Sequence, residues 1–431
     1  MKLGGRVQAA IEILQDVEKK KRSVADALRD WGQSHRFAGS NDRAVIGNIV
    51  YDVLRKRASI GWKMGSYDVR SLVLGAIGHH WGFDAQTLQS EFKDDRHAPR
   101  NLTEAELKGI DNSSLEGAPL WVRAEVPEWL VESFEEAFEE DLETEGRALS
   151  ERPPVDIRVN TLKSTIDDVK SALSKFKPVE TRLSSTCLRF ESGTGVARQP
   201  NIQSDGAFRR GWFEIQDEGS QIAASLVYPL QKDTILDFCA GAGGKTLAMA
   251  ALTEDRGQIY AYDADRSRLS PIHNRLERAG TKNVKVITPE EGTLKSLLGR
   301  MDRVVVDAPC TGTGIWRRRP DAKWRLTPKA LEERLSDQRK VLEEARDFVR
   351  PGGYLIYITC SLLPQENEKQ VYNFVETNPD FELISAGEAW QELFGTDNLQ
   401  PWSADLMTIT MTPASTQTDG FFFSVMERRQ D

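Results

Sequence analysis

Hydrophobic positions along the chain change their period twice. From residue 1 to about 110 they recur at helical spacing: Val7, Ala10, Ile11 and Leu14 form one stripe, and Val45, Ile49, Val53 and Leu54 another. Between Asp42 and Arg55 the stripe lies opposite basic residues, which suits either a solvated face or an RNA contact. Residues 93–120 are polar and hold Pro99, Gly117 and Pro119, a composition that predicts a linker. An acidic helix is predicted over 127–145, with Trp129, Leu130, Phe134, Ala137, Phe138 and Leu142 as its buried stripe. The period then drops to two. Val155 to Asn160 alternates like a strand, Thr165 caps a helix through Phe176, and Leu183 to Phe190 predicts another strand. Beyond 221, short apolar runs near 234–238, 258–262, 284–288, 302–307 and 354–359 alternate with helical segments, the longest starting at Thr327-Pro328. That order predicts an α/β fold with a doubly wound parallel sheet. The expected domains are a helical region over 1–145, a small α/β unit over 146–220 and the sheet domain over 221–431.

Composition narrows the class. The 431 residues are 39% apolar and 29% charged, with no apolar run long enough to span a bilayer. The first residues carry acids among their lysines and no signal-peptide core, so the cytoplasm is expected, with no membrane partner. The four cysteines (187, 239, 310, 360) and five histidines show no ligand spacing, and no metal is expected. A monomer is expected. The net charge of −9 argues against nucleic acid until its distribution is considered, since the 127–145 helix supplies many of the acids.

The stretch Thr234 to Met249 carries the first chemistry. A strand ends at Asp237, and Cys239-Ala240-Gly241-Ala242-Gly243-Gly244 leads into a helix at Lys245. A P-loop needs a glycine where Cys239 stands, and a dinucleotide loop needs one where Thr246 stands. A class I methyltransferase site for S-adenosylmethionine needs only a loose glycine turn and an acid ending the next strand. Asp263 is that acid, about 20 residues on, placed as a ribose acceptor. Arg268, just beyond, is counted with the donor-binding residues, as is Asp307.

The second chemistry sits at two other strand ends. Asp307 closes the fourth strand of the sheet and runs into Ala308-Pro309-Cys310, and the fifth runs into Cys360. In the usual class I order these strands are neighbours, which brings two cysteines to one rim. Carbon 5 of cytosine is too weak a nucleophile for a methyl sulfonium. A thiolate added at carbon 6 turns the ring into an enamine that can attack, and a carboxyl group at ring nitrogen 3 can steady the developing charge, a task open to Asp307. The turn preferred for adenine amino methylation, Asn/Asp-Pro-Pro-aromatic, is not present at 307–310.

These residues resemble the Sun/nucleolar-protein family of RNA cytosine-5 methyltransferases, and within it the bacterial RsmB branch. The matching stretches are Arg158 to Thr161, Gln216 to Gln221, Asp237 to Thr246, Asp307 to Gly312, Thr359 to Ser361 and Asp419 to Phe422. The resemblance implies a Rossmann-like class I catalytic domain, a small α/β RNA-binding unit and an N-terminal NusB-like helical domain. It implies Cys360 as nucleophile, Cys310 in release, Asp307 on the base and Lys245 in contact with the site. Ribosomal RNA is the implied substrate, with transfer RNA, or an inactive RNA-binding assembly protein, as the alternatives. Two departures stand out: Ala242 replaces the family's proline, and the chain reads Val286-Ile287-Thr288-Pro289-Glu290-Glu291 where the family tends to place an Asp that reaches the adenine amino group. For RNA the expected contacts are Arg158, Asn160, Arg209, Arg210, and Arg317, Arg318, Arg319, Lys323 and Arg325 of a tryptophan-flanked basic run. The target cytosine must be single-stranded or flipped.

Overall fold

The computed structural model describes residues 1–93, 95–288, 290 and 292–430. They divide into two compact units. One gathers Met1–Pro153 with two segments from later in the chain, Ser192–Gln199 and Trp316–Arg325; the other holds Pro154–Glu191, Pro200–Ile315 and the chain from Leu326 onward. The small α/β region and the large sheet thus belong to one unit.

The first unit is helical. Its helices Leu3–Lys20, Val24–Ser34, Ser40–Arg55, Arg57–Met64, Val69–Trp81 and Ala85–Lys93 bury the stripes read from the sequence, with Val7, Ala10, Ile46 and Ile49 fully enclosed. Ser23 and Asp68 cap their helices through their side chains. Two expectations need correction. The stretch expected as a linker contains a helix, Glu104–Asp111, started by a Thr103/Glu106 capping box and fastened by buried Ile110. The single acidic helix is instead a series of short pieces, Glu128–Leu130, Val131–Phe138, Glu139–Asp141 and Leu142–Ala148. The break falls at Glu139, which takes φ +48°, inside a run of like charges that an unbroken helix would stack on one face.

In the second unit β1 (Val155–Val159), β2 (Val179–Glu180), β3 (Cys187–Phe190) and β4 (Phe213–Ile215) form a small antiparallel sheet in the order β2-β3-β1-β4. The helix Ile166–Ala172 is capped by Thr165 as expected. The strand expected from 183 begins only at Cys187. The large sheet uses β5 (Thr234–Asp237), β6 (Gln258–Tyr262), β7 (Val284–Ile287), β8 (Met301–Asp307), β9 (Val349–Thr359), β10 (Phe381–Ile384), β11 (Thr408–Met411) and β12 (Phe421–Arg428). Its order is β10-β12-β9-β8-β5-β6-β7, with β11 on the side of β12. The strands from β9 to β7 run parallel, and β12 runs antiparallel to β9. Both faces are buried: Ile235, Val305 and Ile356 belong to one apolar layer, and Leu236, Val304 and Tyr357 to the other. Strand order reverses between β5 and β8, so a ligand site is expected at the carboxyl ends of these two strands. Among the described residues no helix is long and apolar enough to cross a membrane.

Candidate active site

The loop after β5 is shaped by two glycines. Gly241 takes φ +51° and Gly243 φ +81°, and a β-carbon on Gly243 would lie 2.5 Å from Ile272 Cγ1. The helix Gly244–Leu252 starts immediately after. Asp263, at the end of β6, is almost fully buried; one carboxylate oxygen accepts from Gly241 N (2.9 Å) and the other from Asp265 N (2.9 Å). Each oxygen retains a second lone pair, so an acceptor remains for a ribose hydroxyl. Arg268 lies over the same turn, its Nη2 3.7 Å from where a β-carbon on Gly241 would stand. Cys239 and Ala240 form the entry to the loop, and burial pushes the Cys239 thiol well up. A bare backbone and a fixed acid suit a nucleoside held close to the chain, and the helix N-terminus suits the carboxylate of its amino-acid side chain. Of the stretch where the family's adenine-holding Asp is expected, Pro289 and Glu291 lie outside the described residues.

Beneath the loop, Asp237 accepts from Thr246 Oγ1 (2.6 Å) while its Oδ1 has no partner among the described residues, and burial pushes its pKa up to about 7. Lys245, buried, donates to Asp307 Oδ2 at 2.7 Å and sits 5.0 Å above the Phe421 ring. Asp307 itself is one-third exposed, so one edge of its carboxylate faces the opening.

The two cysteines meet. Asp307 pairs with Ile358 across β8 and β9, and Ala308 N donates to Ile358 O (2.8 Å), so the loops leave the sheet side by side. Cys310 Sγ and Cys360 Sγ are 3.3 Å apart, both reduced and partly exposed. The hydrogen bond with Cys360, and then burial, raise the Cys310 thiol well above its ordinary value, so Cys310 holds its proton.

One residue that sequence reasoning missed ties the loops together. Glu366 is fully buried and accepts from Thr311 N (2.8 Å), Thr311 Oγ1, Ser361 Oγ and Gln338 Nε2 (2.9 Å). Gln338 also donates to Pro309 O (2.9 Å), and Asn367 accepts from Thr359 Oγ1 (2.6 Å) and donates to Ser361 O (3.0 Å). The only signal for this cradle was a run of polar residues, Gln365 to Glu368, placed just after the rim cysteine.

The residues expected to touch RNA divide sharply. Arg209 and Arg210 are exposed and line an open hollow with Lys163, Phe208 and Arg278; Arg210 stacks on Trp212 at 4.1 Å. Arg158 and Asn160 are buried: Asn160 donates to Gly211 O (2.9 Å) and Ala279 O (3.0 Å), and burial lowers the Arg158 pKa to about 10. The basic run 316–325 corrects a further expectation. It is packed in the helical unit rather than presented to solvent as a whole. Trp316 is fully buried and stacks on Phe134 at 5.6 Å, and Arg55 Nε donates to Arg317 O (2.8 Å). The Lys323 ammonium, also fully buried, donates to Arg55 O (3.1 Å), Glu125 O (2.8 Å) and Ser150 Oγ (3.2 Å). Arg317 and Lys323 are therefore structural. Arg319 and Arg325 are exposed, the latter paired with Asp321 at 2.8 Å, and Arg318 is half-buried.

Among ligand-type side chains, buried Asp156, Cys187 and Glu218 lie close together. Arg189 already occupies them, bonding both Asp156 oxygens at 2.8 Å and Glu218 at 3.3 Å.

Comparison with known proteins gives a consistent outcome. Residues 224–427 match the family model described as 16S rRNA methyltransferase RsmB/F, and 126–197 match the ferredoxin-like domain of RsmF/B-like methyltransferases. A ribosomal RNA small subunit methyltransferase B of Klebsiella pneumoniae (strain 342) is 30% identical over 446 residues, covering 98% of each chain. A probable enzyme of the same name from Synechocystis sp. is 28% identical, covering 98% of this chain and 99% of its own. The crystal structure titled PH0851 aligns with 25% identity and a TM-score of 0.74, over 99% of this chain and 100% of that one.

Proposed function

The chain belongs to the 16S rRNA methyltransferase RsmB/F family, and from that premise we propose that it methylates carbon 5 of a cytosine in small-subunit ribosomal RNA, with Cys360 as nucleophile. Bound S-adenosylmethionine supplies an electrophilic methyl group, and the glycine loop and Asp263 hold it. The observation that carries the covalent route is the 3.3 Å approach of two reduced thiols beside the Lys245–Asp307 pair.

The order of events follows from the thiol pair. The Cys360 thiol gives up its proton to ring nitrogen 3 by way of the Asp307 carboxyl and its sulfur bonds to carbon 6; the ring electron pair moves to carbon 5, which takes the methyl group and leaves S-adenosylhomocysteine. Asp307, held by Lys245, hydrogen-bonds the pyrimidine edge, and by relaying the proton to ring nitrogen 3 it neutralises the negative charge built up there. Cys310 keeps its proton while Cys360 is its hydrogen-bond partner. Once Cys360 has become a thioether, the largest cause of that raised pKa is gone. Cys310 then gives its proton to solvent and, as the thiolate, takes the proton from carbon 5; the electron pair left behind re-forms the 5,6 double bond as the carbon–sulfur bond breaks and Cys360 leaves as a thiolate. Arg209 and Arg210, with Lys163 and Arg278, supply phosphate contacts, and the reaction is assigned to the cytoplasm, with the protein as a monomer.

The test is a pair of variants with radiolabelled donor and ribosomal RNA. Cys360→Ala is expected to be inactive and adduct-free. Cys310→Ala is expected to accumulate a protein–RNA complex that survives a denaturing gel and needs the donor. An adduct in Cys360→Ala but not in Cys310→Ala reverses the roles, and full activity of both variants removes the covalent route. Bisulfite sequencing of the treated RNA reads the position and separates ribosomal from transfer RNA.

A further inference from the structure

The donor loop is built from residues that stiffen a chain least. Gly241 to Gly244 contains three glycines and one alanine, and glycine loses the most backbone freedom on ordering. Something other than its own side chains must hold it. Gly243 N bonds Ala240 O at 2.8 Å, closing a tight turn with Gly241 and Ala242 at its centre. Gly241 has positive φ and Ala242 does not, the combination of a type II′ turn. The Gly241 amide is spent on Asp263. That leaves the carbonyl side of the loop, and there a charged side chain takes hold. Arg275, in the helix Ile272–Ala279, donates from Nη1 to Ala242 O at 2.8 Å.

The guanidinium is itself aimed by a carboxylate from the small sheet. Glu214 on β4 is buried, and its Oε2 accepts from Arg275 Nε (3.1 Å) and Nη2 (3.0 Å). Its Oε1 accepts from Arg278. Both faces of Glu214 are thus satisfied by arginines, and Arg275 is left with one orientation in which all its bonds are made. A planar fork with five donors can serve a carboxylate and a carbonyl together, which an ammonium at the same place cannot.

We propose that Arg275, oriented by Glu214, is a positioning residue that fixes the donor loop at Ala242 and thereby sets the affinity for S-adenosylmethionine. The inference rests on the reading of 239–245 as the donor loop. It makes an internal check available. A type II′ turn wants φ near −80° at its second central position, close to the fixed angle of proline, so Ala242→Pro should stiffen the same turn by another route.

Calorimetry with the demethylated product, S-adenosylhomocysteine, reads binding without RNA or turnover. Arg275→Met is expected to weaken binding about tenfold, with Arg275→Lys intermediate and Glu214→Gln in the same direction. In steady state KM for the donor should rise more than kcat falls. Ala242→Pro should recover several-fold affinity in the Arg275→Met background and change it less in the wild-type background. Unchanged affinity in Arg275→Met overturns the proposal, as does an equal effect of Ala242→Pro in both backgrounds, since either shows no coupling between brace and turn. Wild-type protein that binds neither donor nor product would instead remove the donor-loop reading. Circular dichroism melts of each variant separate a lost brace from a lost fold: a Met variant that melts far below wild type, with the Lys and Gln variants binding normally, also overturns the proposal.

Discussion

Lys323→Met tests the reassignment of the basic run from an RNA surface to a helical core. The substitution keeps the apolar stem and removes the ammonium, which is 1% exposed and flanked by the Trp316 and Trp324 rings at 5.7 and 5.2 Å. Two carbonyls and the Ser150 hydroxyl lose a charged donor, and Glu125 loses the nearest counter-charge of its buried carboxylate. Breaking a buried charge pair from one side costs about 3–5 kcal/mol, a large part of the roughly 5–15 kcal/mol that holds a domain together. Glu125 limits the loss by taking a proton. Burial already raises its pKa, and without Lys323 it rises further. A group with a raised folded pKa gives up stability as pH rises through that value, so the variant should lose less at pH 5 than at pH 8. Urea unfolding gives the global figure. Hydrogen exchange at Ala58 and Ser59, whose amides donate to Glu125 at 3.0 and 2.9 Å, gives the local one. Exposed Arg319→Met is the control and should stay within about 0.5 kcal/mol. A loss under about 1 kcal/mol in Lys323→Met, joined to a flatter salt dependence of RNA binding, would return Lys323 to the phosphate backbone and refute the burial argument.

Two further expectations concern the catalytic rim. Asp237 titrates near 7 when folded against an ordinary 3.8, so its stabilising contribution is complete below about pH 4 and is lost as pH rises to 7, about 4 kcal/mol in all. Asp237→Asn removes that titration, and the difference between wild-type and variant unfolding free energies should slope across this window; parallel curves would show that Asp237 does not titrate there. Glu366→Gln turns an acceptor of four donors into a group that is half donor. Single-turnover methyl transfer should fall at least tenfold with product affinity unchanged, and a wild-type rate would mean that the cradle does not position the thiols.

Much of the sheet was legible because its parallel strands are buried on both faces and read as short apolar runs. The run at 258–262 is the strand observed, and those at 234–238, 284–288 and 302–307 differ from β5, β7 and β8 by one residue at an end. β9 starts earlier than expected, at Val349, because Pro351-Gly352-Gly353 reads as a turn yet lies within the strand. The antiparallel strands β10 and β11 carried no such signal: β10 is only partly buried and breaks its apolar run at Glu382, and β11 alternates threonine with Ile409 and Met411. The basic run was misread for a deeper reason. Whether a lysine is solvated or buried depends on what faces it, and the main acceptor of Lys323 is Glu125 O, 198 residues earlier in the chain. Local composition holds no information about that partner. Burial of Lys323 would have been predicted only from the buried Glu125 carboxylate, which has no sequence signature of its own.

The cysteine pair shows the opposite case, where sequence located the chemistry but left it symmetric. Strand periodicity placed Cys310 and Cys360 at neighbouring strand ends, and nothing in the spacing distinguished them. The folded chain breaks the symmetry through their surroundings. Cys310 lies three residues beyond Asp307, whose carboxylate Lys245 holds, whereas Cys360 follows Thr359, whose hydroxyl is already engaged with Asn367. The Cys310 thiol is raised well above its ordinary value, and the largest cause is the hydrogen bond with Cys360 itself. Such an arrangement is self-timing. A group that must act only after the nucleophile has been consumed is best restrained by the nucleophile, because the restraint then vanishes at the step that creates the need. The 3.3 Å separation is what makes that possible: at twice the distance the hydrogen bond would be absent, and with it the largest cause of the raised Cys310 pKa.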